Sequence, residues 1–190
     1  AAMLARLGVA AIVVEGEPKN GQLFALKVTK EGAELMPADD LKGLGNYDTV
    51  ESLTGAHGEK ASYVTIGQAG EMKMTAASIG VTDMENRPTR HAGRGGVGAV
   101  MGAKGLKAII VDDAGVKRPA ASDPEGFKQA AKRFAKLLSE HAVTGQTLPT
   151  YGTNALANVI NEAGAYPTRN FTDGNFEGTE KISGETQRDT

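Results

Sequence analysis

Hydrophobic positions in the first part of the chain change their period several times, and each change predicts a different element. Apolar and polar side chains alternate over residues 21–37 and the alternation breaks at Lys30 to Gly32, which predicts two strands joined as a hairpin. Apolar residues recur at helical spacing from Asn46 to Gly58, which predicts an amphipathic helix. Short apolar runs predict further strands at residues 10–14, 61–67, 72–81 and 107–112.

Glycine and proline interrupt this pattern at three places. Residues 1–7 have the pattern of a helix end that stops at Gly8, and residues 97–103 predict a short helix. Between residues 82 and 92 the chain is polar and broken by Pro88, which predicts a loop and no strand. The chain begins without an initiator methionine and inside an apparent helix, so we expect a fragment of a longer protein.

The last third of the chain has the pattern of a helical region. Asp123 followed by Pro124 is typical of a helix cap and first helical position, and the helix is expected to run to about His141. A second helix is expected over about residues 154–163, whereas residues 166–190 show little periodicity. The sequence therefore predicts an α+β protein. A β-rich domain is expected over residues 1–116, and a linker with the beginning of a helical second domain over residues 117–190.

Composition narrows the class of protein. Forty per cent hydrophobic and 23% charged residues are typical of a soluble globular chain, and a net charge of −2 gives no general reason to expect nucleic acid or an anionic membrane as a partner. No apolar run approaches the roughly 20 residues of a membrane helix, and no signal peptide is recognisable, so the cytoplasm is the default location. The chain has no cysteine, which excludes a zinc–thiolate site or a thiolate-ligated iron–sulfur cluster on these residues.

The chemistry-bearing candidate is the segment RHAGRGGVGAVMGAKGLKAIIV, residues 90–111. It carries six glycines and four cationic side chains, although glycine loses the most backbone entropy on ordering. Residues 93–98 match G-x-G-x-x-G, but the residues before them do not predict the buried strand that a dinucleotide site needs. A P-loop is excluded because no glycine stands five positions before a Gly-Lys-Ser/Thr.

Two interpretations of this segment stay open on the residues alone. Consecutive N–H groups of a glycine loop that leads into a short helix can form an anion-binding concavity, and Arg90 and Arg94 could grip a phosphate with bidentate hydrogen bonds. Alternatively, the segment is a glycine-rich turn that packs against a sheet, with both arginines solvated.

Four blocks of sequence resemble one family. The blocks AAIVVEG, IGQAGE, AGRGGVGAVMGAKGLKAI and LPTYGTNALANVINEAGAYPTRNF are similar, in the same order, to the tungsten- or molybdenum-pterin aldehyde:ferredoxin oxidoreductases. The resemblance spans most of the chain. It implies that residues 1–116 are part of a β-sheet platform for two pterin dithiolenes that hold the metal, and that the helical second domain begins in residues 117–190.

The same resemblance implies the site residues and cofactors. Arg90, His91, Gly93 and Arg94, with Gly95 and Gly96, would belong to the loop that contacts the pterins and their phosphates. A magnesium ion would bridge the phosphates and bind a backbone carbonyl of the loop, at a position where family members often have Ala and this chain has His91. The ligands of a [4Fe–4S] cluster and the catalytic residues of the family lie outside this chain, so no catalytic residue and no metal ligand is assigned here.

The implied activity is the oxidation of an aldehyde or related carbonyl compound to the acid at a W or Mo centre, with electrons passing through the cluster to ferredoxin or another acceptor. The fragment alone is expected to be inactive, and a homodimer is one of the oligomeric states left open. The alternative function is a stand-alone, non-redox binding module that uses the same loop for a phosphate-bearing ligand.

Other candidate side chains carry less weight. Glu15 and Glu71 could be acid–base groups, but carboxylates at such positions more often cap a turn or are solvated. His57, His91 and His141 share no metal-ligand spacing.

Overall fold

The computed structural model describes residues 2–117 and 119–190. The chain divides into two compact units, Ala1–Pro119 and Ala120–Thr190, which we call the sheet unit and the helical unit. The α+β class expected from the sequence is confirmed by a mixed six-stranded sheet accompanied by helices. No helix in the described part of the chain is long and apolar enough to cross a membrane.

The sheet has the strand order β2-β1-β6-β3-β4-β5. All neighbouring strands are antiparallel except β1 and β6, which pair in parallel. The strands are β1 (Phe24–Thr29), β2 (Gly32–Pro37), β3 (Ser62–Thr65), β4 (Ile79–Val81), β5 (Arg90–Ala92) and β6 (Leu106–Val111). Strand β6 lies inside the sheet and five of its six residues are buried, which explains why its sequence is apolar except at Lys107.

Two hydrophobic clusters form where helices pack against the sheet. The helices of the sheet unit are α1 (Ala2–Arg6), α2 (Asn46–His57), α3 (Gln68–Glu71) and α4 (Val97–Ala103), with 3-10 turns at Lys19–Gly21 and Asp39–Leu41. Val50 and Leu53 of α2 pack with Tyr63 and Ile110 in the larger cluster. Met101 of α4 packs with Ile66 and Leu106 in the second. The helical periodicity of residues 46–58 and 97–103 therefore predicts the two helices that bury apolar surface against the strands.

The helical unit consists of one long helix and several short ones. Its α-helices are α5 (Pro124–Glu140), α6 (Leu148–Tyr151), α7 (Ala157–Glu162), α8 (Thr179–Ile182) and α9 (Gly184–Asp189), with a π-helical segment at Ala142–Thr147 and a 3-10 segment at Gly152–Leu156. Asp123 caps α5 as predicted, because its carboxylate accepts a hydrogen bond from the N–H of Gly126 at 2.9 Å. Helices α8 and α9, of four and six residues, were not predicted because neither is long enough to show a period.

Three sequence-based predictions for the sheet unit are wrong. Residues 10–14 form no strand, and Val13 is 80% exposed. The strand expected over residues 72–81 is reduced to β4, because residues 72–77 turn and Lys73 has a φ of 58°. Conversely, residues 90–92, expected to be a loop, form the edge strand β5, which pairs with β4 although all three residues are exposed. Of the predicted helix at residues 1–7, Ala1 lies outside the described residues.

Candidate functional site

The glycine loop, Gly93–Gly96, joins the edge strand β5 to helix α4. Strand β5 pairs through Ala92 with Ile79 of β4, so the chain is held by the sheet up to the residue before the loop. Helix α4 then begins at Val97 and runs for seven residues. A strand does precede the glycines, contrary to the sequence-based expectation, but it is a short antiparallel edge strand and does not form a βαβ unit.

A turn around Asp83 precedes strand β5 in the chain. The carboxylate of Asp83 accepts hydrogen bonds from the backbone N–H groups of Glu85 and Arg87, at 2.9 and 3.0 Å, and from the hydroxyl of Thr89 at 2.8 Å. These donors, first the N–H of Arg87 and then Thr89, lower the pKa of Asp83 to about 2. The approach to the glycine loop is therefore a turn organised around one ionised carboxylate.

Close packing explains some of the glycines. A Cβ at Gly96 would overlap the carbonyl oxygen of Thr75, and Gly96 also has a left-handed φ of 64°. A Cβ at Gly98 would lie 2.8 Å from the carbonyl carbons of Ala77 and Ser78. These two glycines are required because the segment before β4 passes directly against the loop and the start of α4. For them the structural interpretation suffices.

Packing does not explain the other two. A Cβ at Gly93 or at Gly95 would have no protein atom within 4 Å. Gly95 has a left-handed φ of 79°, so glycine is favoured there by conformation, whereas Gly93 has no positive φ. The space beside Gly93 and Gly95 is open, and a side chain at either position would project into it. This part of the loop has room for a ligand to approach the backbone.

The loop also presents donors and charge. Within residues 2–117 and 119–190, the backbone N–H groups of residues 94–97 donate to no protein acceptor, and neither Arg90 nor Arg94 forms a salt bridge or a side-chain hydrogen bond. All of residues 90–95 are exposed. Unpaired N–H groups beside two free guanidinium groups are the donor set that binds phosphate. Helix α4 has only seven residues, so its dipole is not counted in this donor set.

His91 lies on β5 opposite Gly80 and is held by a neighbour that sequence reasoning missed. Its Nδ1 is 3.0 Å from the hydroxyl oxygen of Ser78, a hydrogen-bond distance. The imidazole is thus attached to the segment that supports Gly98.

The carboxylate of Glu71 is largely buried and is not solvated. Its side chain is 11% exposed and forms an ion pair with Lys107 of β6, whose side chain is fully buried. The Glu71 carboxylate also accepts the backbone N–H of Gly43, with distances of 2.9 and 3.1 Å to its two oxygens. Glu71 is thus neither solvated nor the cap of a helix, because its carboxylate pairs with a buried lysine that was not predicted. The only sequence signal for it is one charged residue in an apolar strand.

Other parts of the sheet unit offer less for chemistry. A cavity of about 580 Å³ lies between α2 and the turn around Asp83, and its lining includes Tyr47, Glu51, Met84 and Arg87. It does not include the glycine loop. Within the part of the chain that the structure describes, no group of three or more His, Asp or Glu side chains could hold a metal ion.

Comparison with known proteins places these features in a family. The model of the aldehyde ferredoxin oxidoreductase N-terminal domain matches residues 1–113, and the model of domains 2 and 3 of that enzyme matches residues 129–190. A tungsten-containing aldehyde ferredoxin oxidoreductase of Pyrococcus abyssi is 40% identical over 176 residues, which are 92% of this chain and 28% of that protein.

Two other similar proteins have names that indicate different functions. The WOR-like subunit of an aliphatic sulfonate oxidoreductase of Pyrococcus furiosus is 30% identical over 93% of this chain and 28% of its own length. The solved active-site complex BamBC of benzoyl coenzyme A reductase, in complex with 1,5-dienoyl-CoA, superposes with a TM-score of 0.64 at 30% identity, over 72% of this chain and 20% of that one. The chain thus spans little more than a quarter of the length of the curated relatives that it matches.

Proposed function

Because this chain belongs to the aldehyde ferredoxin oxidoreductase family, we propose that its glycine loop binds the phosphate groups of a pterin cofactor in a larger oxidoreductase. The observation that carries the proposal is the open space beside Gly93 and Gly95, next to unpaired N–H groups and the free Arg90 and Arg94. A structural turn accounts for Gly96 and leaves this donor set without a purpose.

The residues present fit such a group. The guanidinium groups of Arg90 and Arg94 would each grip phosphate oxygens with paired hydrogen bonds, and the N–H groups of Gly95 and Gly96 would bind further oxygens. Gly93 would let the cofactor approach the backbone more closely than a side chain allows. The backbone carbonyl of His91 would help to hold a magnesium ion, which would neutralise phosphate charge, since magnesium prefers oxygen ligands.

When bound, the tungsten or molybdenum bis-pterin would supply the redox chemistry, in which an aldehyde and water give an acid, two protons and two electrons. This chain's residues would position the cofactor and neutralise its phosphates. The aldehyde substrate and ferredoxin as electron acceptor are proposed on the names of two relatives that are each 40% identical to this chain. A [4Fe–4S] cluster as electron relay is proposed on the family resemblance of the four sequence blocks. The sulfonate oxidoreductase makes another substrate class the alternative to be tested.

We further propose that residues 1–116 are part of the pterin-binding domain and that the second domain begins in residues 117–190, in a cytoplasmic protein. The division into two compact units near residue 119 supports this boundary. On this proposal the 190 residues do not oxidise aldehydes by themselves, because they contain no cysteine to ligate a cluster.

A binding experiment on the chain itself tests the loop. Inorganic pyrophosphate with Mg²⁺ is titrated by calorimetry into the wild type and into Arg94→Gln, which loses charge-assisted hydrogen bonds worth about 1.5–3 kcal/mol, or roughly 10- to 150-fold in Kd. Arg94→Lys should be milder because it keeps the charge and loses the planar two-point grip. Arg133→Gln on the exposed face of α5 is the matched control and should bind like the wild type.

A second arm uses the complete protein that contains this chain. Gly93→Val should lower tungsten or molybdenum and pterin content per chain while thermal unfolding of the apoprotein stays unchanged, because the added side chain meets open space. Full cofactor content in both Gly93→Val and Arg94→Gln would contradict the proposal and would favour the interpretation of the loop as a purely structural turn.

A further inference from the structure

We infer that the buried Lys107–Glu71 ion pair is a positioning device for the glycine loop, and we call it the clamp. In the described residues no hydrogen bond or ion pair joins the clamp to Arg90 to Gly96, so it acts through helices α3 and α4. The inference deepens the proposed function, on which its ligand-binding part rests.

The clamp ties three segments together. The ammonium group of Lys107, on β6, donates to the carbonyl oxygen of Leu44 at 2.8 Å and to the carboxylate of Glu71. Glu71 in turn accepts the N–H of Gly43 and is the last residue of α3. One buried ion pair thus fixes the end of α3 to the central strand β6 and to the segment that precedes α2.

An irregularity in the sheet places Lys107 for this task. In the β1–β6 ladder Phe24 pairs with Leu106 and Ala25 pairs with Ala108, which leaves Lys107 as an extra residue without a partner on β1. A bulge of this kind re-aims a side chain relative to the regular alternation of a strand. The lysine interrupts an apolar run, and the strand departs from regular pairing at the same residue.

Helix α3 transmits the position of the clamp to α4 because their backbones are in contact. A Cβ at Gly102 of α4 would overlap the carbonyl of Gly70, with its carbon at 2.7 Å, and a Cβ at Gly70 would lie 3.1 Å from the carbonyl oxygen of Gly98. Gly70 directly precedes Glu71. A displacement of the end of α3 therefore displaces α4, whose first turn follows the glycine loop.

Stability alone does not explain the clamp. Removing a lysine and a carboxylate from water carries a desolvation penalty that often equals their attraction, so an apolar pair of similar volume would stabilise the fold as well. What an apolar pair would lack is direction, since an ammonium group must satisfy fixed acceptors at Leu44 and Glu71. The clamp thus specifies where α3 and α4 lie.

The test compares loop order with global stability in the 190-residue chain. The variants are Lys107→Met, Glu71→Gln and the double variant, which removes the charges and leaves no buried charge unpaired. Limited trypsin digestion reports cleavage after Arg94 in the glycine loop relative to cleavage after Lys30 in the β1–β2 turn. In the double variant, loss of positioning should raise this ratio and weaken pyrophosphate binding by about 10- to 100-fold, the loss typical of outer-shell partners.

Two matched controls separate positioning from general destabilisation. Val50→Ala creates a cavity in the cluster beneath α2, which contains no residue of α3. This variant and the double variant are compared at denaturant concentrations at which their free energies of unfolding are equal. Arg6→Met removes another ion pair, the one with Asp113, which does not involve α3. Both controls should keep the wild-type cleavage ratio.

The outcomes decide between the two ideas. An unchanged cleavage ratio in the double variant, or the same increase in Val50→Ala at equal stability, overturns the clamp. If the wild type does not bind pyrophosphate, the proposed function fails, while the cleavage ratios still decide whether the clamp orders the loop.

Discussion

The contact between α3 and α4 can be tested by placing the same substitution in two helices. Gly102→Ala and Gly55→Ala each add one methyl group to a helical glycine. In α2, a Cβ at Gly55 has no atom within 4 Å, whereas in α4 a Cβ at Gly102 overlaps the carbonyl of Gly70. Neither glycine has a positive φ, so backbone conformation favours alanine equally at both positions.

The expected free energies have opposite signs. Alanine gains roughly 0.5–1 kcal/mol over glycine inside a helix, so Gly55→Ala should stabilise the sheet unit by up to that amount. At Gly102 the methyl carbon would lie 2.7 Å from the carbonyl carbon of Gly70, where carbon atoms prefer about 3.5–4.0 Å. The two helices must separate by about 1 Å, at a cost of roughly 1–3 kcal/mol that exceeds the gain in helix propensity.

Scanning calorimetry of the 190-residue chain measures the difference. With about 4 °C per kcal/mol for a unit of this size, Gly55→Ala should raise Tm by roughly 2–4 °C. Gly102→Ala, with a net loss of up to about 2.5 kcal/mol after the gain in helix propensity, should lower it by up to roughly 10 °C. An increase in both variants would refute the reasoning, because it would mean that α3 and α4 are not in backbone contact. The inference about the clamp would then lose its path to the loop.

Three further predictions address other polar contacts of the fold. Tyr63→Phe should destabilise the sheet unit by about 1–3 kcal/mol in denaturant titrations, since the buried hydroxyl donates to the carbonyl of Gly58 at 2.7 Å. Burial raises the pKa of Tyr63, so the wild type should also lose stability as pH rises above about 10, where only the unfolded tyrosine ionises, and Tyr63→Phe should remove that loss. Because the pKa of Asp83 is lowered to about 2, its ionised carboxylate stabilises the turn fully above about pH 4, and this stabilisation is lost as pH falls from about 4 towards 2. Over that range, amide exchange at Arg87 should accelerate relative to exchange at residues outside the turn, and Asp83→Asn should flatten the dependence. Asp123→Ala should remove the cap of α5 at a cost of about 1 kcal/mol, seen as lost helical circular dichroism, whereas Asp123→Ser should restore most of it.

Elements that bury a periodic apolar face could be predicted from the sequence. The hairpin of β1 and β2, the helices α2 and α4, and the cap of α5 at Asp123 all lie within a few residues of their predicted positions. In β1, α2 and α4 local pattern and tertiary burial favour the same element, whereas β2 and α5 contain no buried residue and follow from the hairpin turn and the Asp123 cap.

The errors occur where a partner in the fold decides the structure. The apolar run at residues 10–14 has strand character but pairs with no neighbouring strand in the described residues, whereas the polar residues 90–92 pair because β4 is beside them. Strand formation depends on the partner as much as on propensity. Lys107 is a sharper case, since its role depends on a bulge and on Glu71, 36 residues away in sequence.

The density of glycine in residues 93–105 meets two physical demands that the sequence cannot separate. Strand pairing holds the chain through Ala92, and the contact with Thr75 holds it again at Gly96, so only Gly93 to Gly95 are free to adjust to a ligand. Three residues between fixed points have little conformational freedom to lose on binding. An anion would therefore meet donors already close to their bound positions, and preorganisation of this kind increases affinity. The glycines packed against Thr75, Ser78 and Gly70 thus serve the loop indirectly, because they fix α4 at the end of the segment that a ligand would contact.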